Sequence, residues 1–413
     1  MPIIENPTAF PILAYQHGTS SSKMDVPSNL SQEIFLPYFF VGNGFICTAA
    51  DYLGLGDSRR SIHPYIHADT EASAGIDLIR ASKQFMDAEG FLYTDQLFIT
   101  GYSQGGHAGM AMHKEIETNL SDEFTVTAAS HMSGPYNLSS TIISTSLEDS
   151  IYDFPSYVVW MFVAYQSVYG TVYENLESVF RPEYIPMIED FTNGVITRGE
   201  LNVLLIDRLT EFHGASFTNR VFTEAFLTDL QENPENPVRL ALQDNDLIDW
   251  VPTAPTQLLY CMADEQVPYT NATITDSIMN ANGAASVTSI DINSEADHGG
   301  CVAPATENSA NFFLQFLEGA VTNTTAVNQE LDFSFQPNPV STELQVTLPD
   351  ALLREPMTSS LQLFSLDGSI LIEQAVTSSQ QVTLPMETIP NGFYFLRLQS
   401  ELGFWVEKLV VEK

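Results

Sequence analysis

Hydrophobic residues along the chain fall into short runs that alternate with stretches of helical period. Residues 12–15, 45–49, 97–100, 125–130, 258–262 and 287–292 read as strands. Between them, residues 68–88, 106–120, 272–282 and 305–317 repeat apolar side chains every three to four positions, as amphipathic helices do. Strand–helix alternation of this kind predicts an α/β domain over 1–318, built on a mostly parallel sheet covered on both faces. The alternation breaks at about 138–251, where helical segments interrupted by Pro155, Pro182, Pro186, Pro234 and Pro237 predict an inserted helical subdomain. After a polar linker at 319–330, the period becomes two. Short alternating runs around 344–348, 361–366, 382–384, 393–398 and 405–411 are separated by Asp367-Gly368 and Asn391-Gly392 turn signals. They predict a small all-β sandwich over 331–413.

Composition narrows the partners. The chain has 413 residues, and 15 Lys and Arg against 52 Asp and Glu leave a net charge of −37. Only 16% of residues are charged, so the imbalance reflects scarce cations rather than surplus acid. A field of this sign repels phosphate backbones and anionic membrane surfaces, which argues against nucleic acid as a partner. The longest apolar run, 157–165, is half the length of about 18 residues or more that a membrane span needs, so no integral membrane segment is expected. The N-terminus lacks the basic and apolar regions of a secretory signal. Of three cysteines, Cys47 and Cys261 fall in predicted core strands and read as buried thiols, whereas Cys301 is open to pairing in an exported protein.

One motif carries chemistry. Gly101-Tyr102-Ser103-Gln104-Gly105 lies between a predicted strand and a predicted helix. In that setting Gly-x-Ser-x-Gly puts the serine on a sharp turn, where small neighbours let strand and helix approach. A serine hydroxyl needs a base and an oxyanion site to act as a nucleophile. His298, in Glu295-Ala-Asp-His-Gly-Gly300 after the last strand, is the expected base. Asp264, at the end of the 258–262 strand, is the expected orienting acid, with Glu265 and Asp297 as rivals. The backbone N–H of Gln104 and of Thr19, in the strand-end turn His17-Gly18-Thr19, are the expected oxyanion donors. His131 reads as a core or rim histidine. The helices carry no His-x-x-x-His pair and the chain no phosphate-binding loop, so neither metal nor cofactor is expected. Asp244-Asn245-Asp246 lacks the glycine and distal glutamate of a calcium loop and reads as a solvated acidic loop.

Together these residues resemble the α/β-hydrolase superfamily. The closest likeness is to its secreted lipase/esterase group, with a His-Gly-Thr oxyanion loop, an Asp-Tyr-x-Gly-x-Gly loop (Asp51 to Gly56) and a Gly-Tyr-Ser-Gln-Gly-Gly elbow. The resemblance implies ester hydrolysis through an acyl-enzyme without a metal, and a lid-type insertion where 138–251 falls. It also makes the His17 strand the third of the sheet. Only about a dozen residues precede that strand, so the first two strands are expected to be missing, either through N-terminal truncation, which would also account for the lack of a signal peptide, or because the sheet begins late. The C-terminal region resembles the sorting domain of the type IX secretion system of Bacteroidetes-type bacteria, through Phe335-Gln-Pro-Asn-Pro339, Asn391-Gly-Phe-Tyr394 and Lys408-Leu-Val-Val-Glu-Lys413. That likeness implies the secretion machinery as a partner and a secreted or surface-attached product.

The insertion carries aromatic residues, with positions 157, 161, 165 and 169 on one helical face. Trp160, Phe162 and Tyr165 are the candidate substrate contacts; a lid over an apolar acyl or aryl pocket is the preferred role, with a helix packed on the hydrolase core as the alternative that periodicity does not distinguish. The resulting reading is a secreted serine carboxylester hydrolase whose substrates include lipids, aryl esters or polyesters. Two rivals are a serine peptidase on the same fold and a catalytically inactive surface binding module.

Overall fold

The computed structural model describes residues 9–317, 334–348, 359–365, 370–376, 381–400 and 403–413. The chain divides into two compact units, Met1–Glu318 and Gly319–Lys413. In the first, six strands form one parallel sheet: β1 (Phe10–Gln16), β2 (Ile46–Ala49), β3 (Tyr93–Tyr102), β4 (Val126–Met132), β5 (Thr256–Tyr260) and β6 (Val287–Asp291). Their order is β2-β1-β3-β4-β5-β6. All six lie at the predicted runs. Both faces are covered, as the continuous apolar character of β1 and β3 requires. One face packs Ile12, Ile99 and Ala129 against Ile76, Ile79, Met112 and Ile116, and the other packs Tyr15, Phe98 and Ala128 against Phe40 and Phe313.

The helices of this unit are α1 (Phe35–Gly42), α2 (Ala68–Glu89), α3 (Gln104–Asn119), α4 (Ile143–Ser146), α5 (Pro155–Tyr169), α6 (Ile185–Thr192), α7 (Arg198–His213), α8 (Glu224–Glu232), α9 (Pro237–Asp244), α10 (Thr270–Ala281) and α11 (His298–Leu314). Those from α4 to α9 make up the predicted insertion, between β4 and β5. Pro155, Pro186 and Pro237 sit in the first turns of α5, α6 and α9. There a missing N–H costs nothing, so these prolines start helices rather than interrupt them. Helix α11 begins at His298, seven residues earlier than the periodicity suggests. Asp297 caps it by accepting from Gly300 N–H at 2.7 Å, and it carries Pro304 internally.

Two readings are corrected. Cys261 is not a free buried thiol: it lies just past β5 and pairs with Cys301 in a disulfide with Cα atoms 6.0 Å apart. Cys47, in β2, remains a free thiol. The Asp244–Asp246 loop is not merely solvated. Asp246 accepts from the backbone N–H of Leu138 (2.6 Å) and Ser139 (3.0 Å), which ties the two ends of the insertion together.

The second unit is all-β and antiparallel. One sheet holds β9 (Ser359–Phe364), β10 (Ile370–Val376), β12 (Gly392–Ser400) and β13 (Gly403–Val411). The other holds β7 (Ser334–Gln336), β8 (Glu343–Thr347) and β11 (Gln381–Pro385). Leu344, Val346, Leu361, Leu363, Leu384, Leu396 and Leu409 share its core. The expected 319–330 linker and the Asp367-Gly368 turn lie outside the described residues.

Candidate active site

Ser103 stands alone between the end of β3 and the start of α3, with φ 60° and ψ −120°. Such backbone is costly for a residue with a side chain and persists only where the surroundings enforce it. Here the surroundings are tight. A Cβ on Gly101 would strike the Gly105 carbonyl, and one on Gly105 would strike the Gln16 carbonyl. The Ser103 N–H donates to the Met132 carbonyl of β4 at 2.9 Å, which fixes the turn to the neighbouring strand.

Two loops from the same end of the sheet meet beside this turn. Asp264 follows β5. Its Oδ1 accepts from the N–H groups of Gln266 (3.0 Å) and Val267 (2.8 Å), and its Oδ2 lies 2.7 Å from Nδ1 of His298. Both side chains are nearly buried, at 1% and 9% exposure for Asp264 and His298, so little water competes for this contact. With Nδ1–H donated to the carboxylate, Nε2 is left as an acceptor. The rival carboxylates do other work. Glu265 accepts from the His298 backbone N–H at 3.0 Å, and Asp297 caps α11. Burial pushes the Glu265 carboxyl up, but hydrogen bonds from the backbone of His298 and Glu265 and from Gln266 hold it below its ordinary range. The Tyr102 hydroxyl donates to the His298 carbonyl at 2.6 Å and the two rings lie 5.0 Å apart, which seats His298 against the elbow.

The turn after β1 completes the group. A Cβ on Gly18 would fall 4.0 Å from that of Ser103. His17 is buried and clamped: its Nδ1 is 2.7 Å from the Gly18 carbonyl, its Nε2 3.2 Å from that of Asp51, and its ring stacks on Tyr52 at 4.3 Å. Thr19 Oγ1 shares a 3.0 Å hydrogen bond with the Tyr65 hydroxyl. Under the elbow runs a polar chain absent from the sequence reading. The Gln104 amide nitrogen reaches His63 Nε2 (2.8 Å) and donates to Glu71 Oε1 (2.7 Å), while Glu71 Oε2 meets His107 Nδ1 (2.7 Å). Burial holds the His63 ring down to about 3, so it is neutral. Its Nδ1 then donates to the Leu53 carbonyl and its Nε2 accepts from Gln104.

The secretory lipase family matches residues 23–310, and the secretion system C-terminal sorting domain matches residues 334–412. The chain belongs to the secretory lipase family. Among solved structures it is similar to a Legionella pneumophila protein, with 24% identity, a TM-score of 0.69, and 78% of this chain and 83% of the other covered. It is also similar to the rice cell wall degrading esterase LipA of Xanthomonas oryzae, with 26% identity, a TM-score of 0.62, and 74% and 80% covered. Lipase A of Candida antarctica in its closed state shares the fold at 16% identity and a TM-score of 0.55, with 74% and 73% covered. No curated protein sequence matches the chain. The protein is thus a hydrolase of the lipase and esterase kind, acting on carboxylic esters, and its sorting domain marks it as secreted or held at the cell surface.

The lipase places the three aromatic candidates of its insertion differently. Trp160 stacks on Tyr65 with ring centres 4.4 Å apart, and so sits behind the Thr19 contact. Tyr165 is wholly buried and donates to the Ile66 carbonyl at 2.8 Å. Phe162 points into the insertion's own core between Phe222 and Phe226, with no accessible surface to offer a substrate. Helix α5 is therefore the central core helix of the insertion as well as its contact with the hydrolase loops. Nothing in the sequence signals Tyr65, Glu71 or His63, because each acts on a residue 33 to 46 positions away. Among the described residues no cluster of His, Cys, Asp and Glu is arranged to hold a metal ion.

Proposed function

We propose that this lipase cleaves carboxylic esters by serine catalysis, with Ser103 as nucleophile, His298 as base and Asp264 as its orienting acid. The observation that carries the reading is the buried 2.7 Å contact between Asp264 and His298 Nδ1, seated by Tyr102 against the strained turn that bears Ser103. Ser103 Oγ attacks the ester carbonyl while His298 Nε2 takes its proton. The carbonyl oxygen, now an oxyanion, is received by the N–H groups of Gln104 and Thr19. His298 passes the proton to the departing alcohol, leaving an acyl-enzyme. Water, deprotonated by the same nitrogen, attacks the acyl carbon and releases the acid and free Ser103. Asp264 keeps the ring in the tautomer this cycle needs and stabilises the imidazolium in between. Esters with an apolar acyl or aryl part are the proposed substrate class, in keeping with the secretory lipase family, and polyester chains are a further member of that class.

Incubation with a fluorophosphonate followed by peptide mapping tests the assignment, beside a chain-length series of nitrophenyl esters. The expected result is a single adduct on Ser103 together with turnover. Ser103→Ala is expected to lower kcat by about 10⁴- to 10⁶-fold with the fold retained, as removal of a triad nucleophile does. Undiminished hydrolysis by that variant, purified from a host lacking esterases, overturns the reading.

A further inference from the structure

The insertion brings one cation to the rim of the site. Arg198 opens α7 directly after Thr197, whose side chain caps the helix by accepting from Glu200 N–H at 3.2 Å. A cation on the first turn faces the positive end of the helix dipole, so the helix itself does not favour it there. Its guanidinium lies 5.3 Å from the centre of the Tyr157 ring. The Tyr157 hydroxyl donates to Gln266 Oε1 at 3.0 Å, beside the N–H that holds Asp264. Tyr65, which bonds Thr19, lies 6.3 Å from Tyr157, and Gly199 N–H donates to the Ser21 carbonyl at 3.2 Å. Arg198 thus stands where the acid loop, the oxyanion loop and the insertion converge.

Most other arginines of this unit are matched. Arg80, Arg208 and Arg220 pair with carboxylates, and Arg181 and Arg239 donate to backbone carbonyls. Among the described residues, by contrast, Arg198 Nε is buried without an acceptor and no carboxylate forms an ion pair with the guanidinium. This is an odd shortage in a chain with 52 acids and 15 Lys and Arg. A partly desolvated guanidinium without a counter-ion is costly, and the cost is relieved when a carboxylate supplies a two-pronged, charge-assisted partner.

We propose that Arg198 forms an anion subsite that receives a carboxylate carried by the ester substrate, a few bonds from the scissile carbonyl. The proposal rests on the ester-hydrolase reading above and names a substrate class within it. Apolar contact with the half-buried Tyr157 ring then holds the chain between ester and carboxylate. The subsite also acts against the molecule's overall negative field, so the preference it creates is local to the site.

The test compares nitrophenyl half-esters of succinic, glutaric and adipic acid with the neutral butyrate, valerate and hexanoate, for the full chain and for Arg198→Gln and Arg198→Lys. Arg198→Gln is expected to lower the ratio of kcat/KM for half-ester over neutral ester by about 10-fold or more at the best chain length, mainly through KM, as loss of a charged hydrogen bond does. Arg198→Lys is expected to fall between. An equal loss on both series, meaning that Arg198 only supports Tyr157, overturns the proposal, as does an unchanged ratio. In either case Ser103-dependent hydrolysis of the neutral esters leaves the hydrolase reading standing. Calorimetry of glutarate monomethyl ester binding to Ser103→Ala, with and without Arg198→Gln, reads the same contact without turnover. Equal affinity there overturns the subsite even if no ester is cleaved.

Discussion

At the scale of single residues, the buried carboxylate of Glu71 matters most beyond the proposed triad. It is fully enclosed, with Gln104 on one oxygen and His107 on the other, and His107 Nε2 faces the Asn245 carbonyl at 3.1 Å. Gln104 is also the residue whose backbone N–H is proposed to receive the oxyanion, so anchoring its side chain would aim that N–H. Glu71→Ala strands a buried amide and a buried imidazole, at a cost of about 3–5 kcal/mol, as when one partner of a buried pair is removed. Glu71→Gln keeps the shape but places a donor against His107. For this milder variant we expect a lower melting temperature and a kcat reduced by about 10- to 100-fold per phosphonylated site, with KM little changed. A kcat per titrated site equal to that of the parent would make Glu71 a stability residue only. Ser103 and His298 stand out in the sequence as candidates because their surroundings are local: glycines flank one, and a strand end precedes the other. Glu71 does not, since its carboxylate is indistinguishable in sequence from the exposed Asp69, Asp77, Asp87 and Glu89 of α2 and only the packing of α2 on α3 buries it.

At the scale of elements, the disulfide joins the segment after β5 to the first turn of α11. Cys261 precedes Asp264 by three positions and Cys301 follows His298 by three, so the bridge closes the frame in which Asp264 and His298 meet. The two cysteines are 40 positions apart in sequence, a loop whose closure is worth about 4 kcal/mol in the chain-entropy account. Cys261→Ala with Cys301→Ala, or a reductant, is expected to lower the urea midpoint of the catalytic unit. It is also expected to reduce kcat beyond the change in folded fraction, because Asp264 and His298 then drift independently. Urea melts followed by far-ultraviolet dichroism, paired with single-turnover acylation on the folded species, separate the two effects. All six strands of the sheet were legible because their apolar runs are bounded by turn residues. The start of α11 was not, as Gly299, Gly300 and Pro304 disguise its first turns as a loop and only the Asp297 cap restores it. The pairing of Cys261 was hidden for a related reason: its sequence context is that of a buried strand, and the chain leaves the sheet one residue before it.

At the scale of the whole molecule, the response to acid sets two effects against each other. The excess of carboxylates repels itself near neutral pH, and protonating them relieves that repulsion. Against this stand histidines buried in neutral form. Burial holds His63 down to about 3, and burial followed by the nearby His113 holds His131 well below its ordinary value. A histidine whose folded value is depressed binds its proton more readily when unfolded, so stability is complete above about 6.5 and falls as pH drops toward the folded value. For His63 alone the loss between pH 6.5 and 5 is roughly 2 kcal/mol. Glu117 adds to the same slope at lower pH. Burial raises it, but the hydrogen bond and charge of His113 and the N–H groups of Thr253 and Ala254 bring it to about 2, so its stabilisation disappears between about 4.5 and 2. Repulsion among exposed carboxylates is screened beyond about 8 Å at physiological salt, whereas the buried groups are not. The histidines therefore win, and melting temperature is expected to fall steadily from pH 7 to pH 5. The slope should persist in 0.5 M sodium chloride and flatten in His131→Leu, which removes one of the depressed groups. A melting temperature that rises on acidification at low salt, and levels off when salt is added, would instead assign the response to the surface charge.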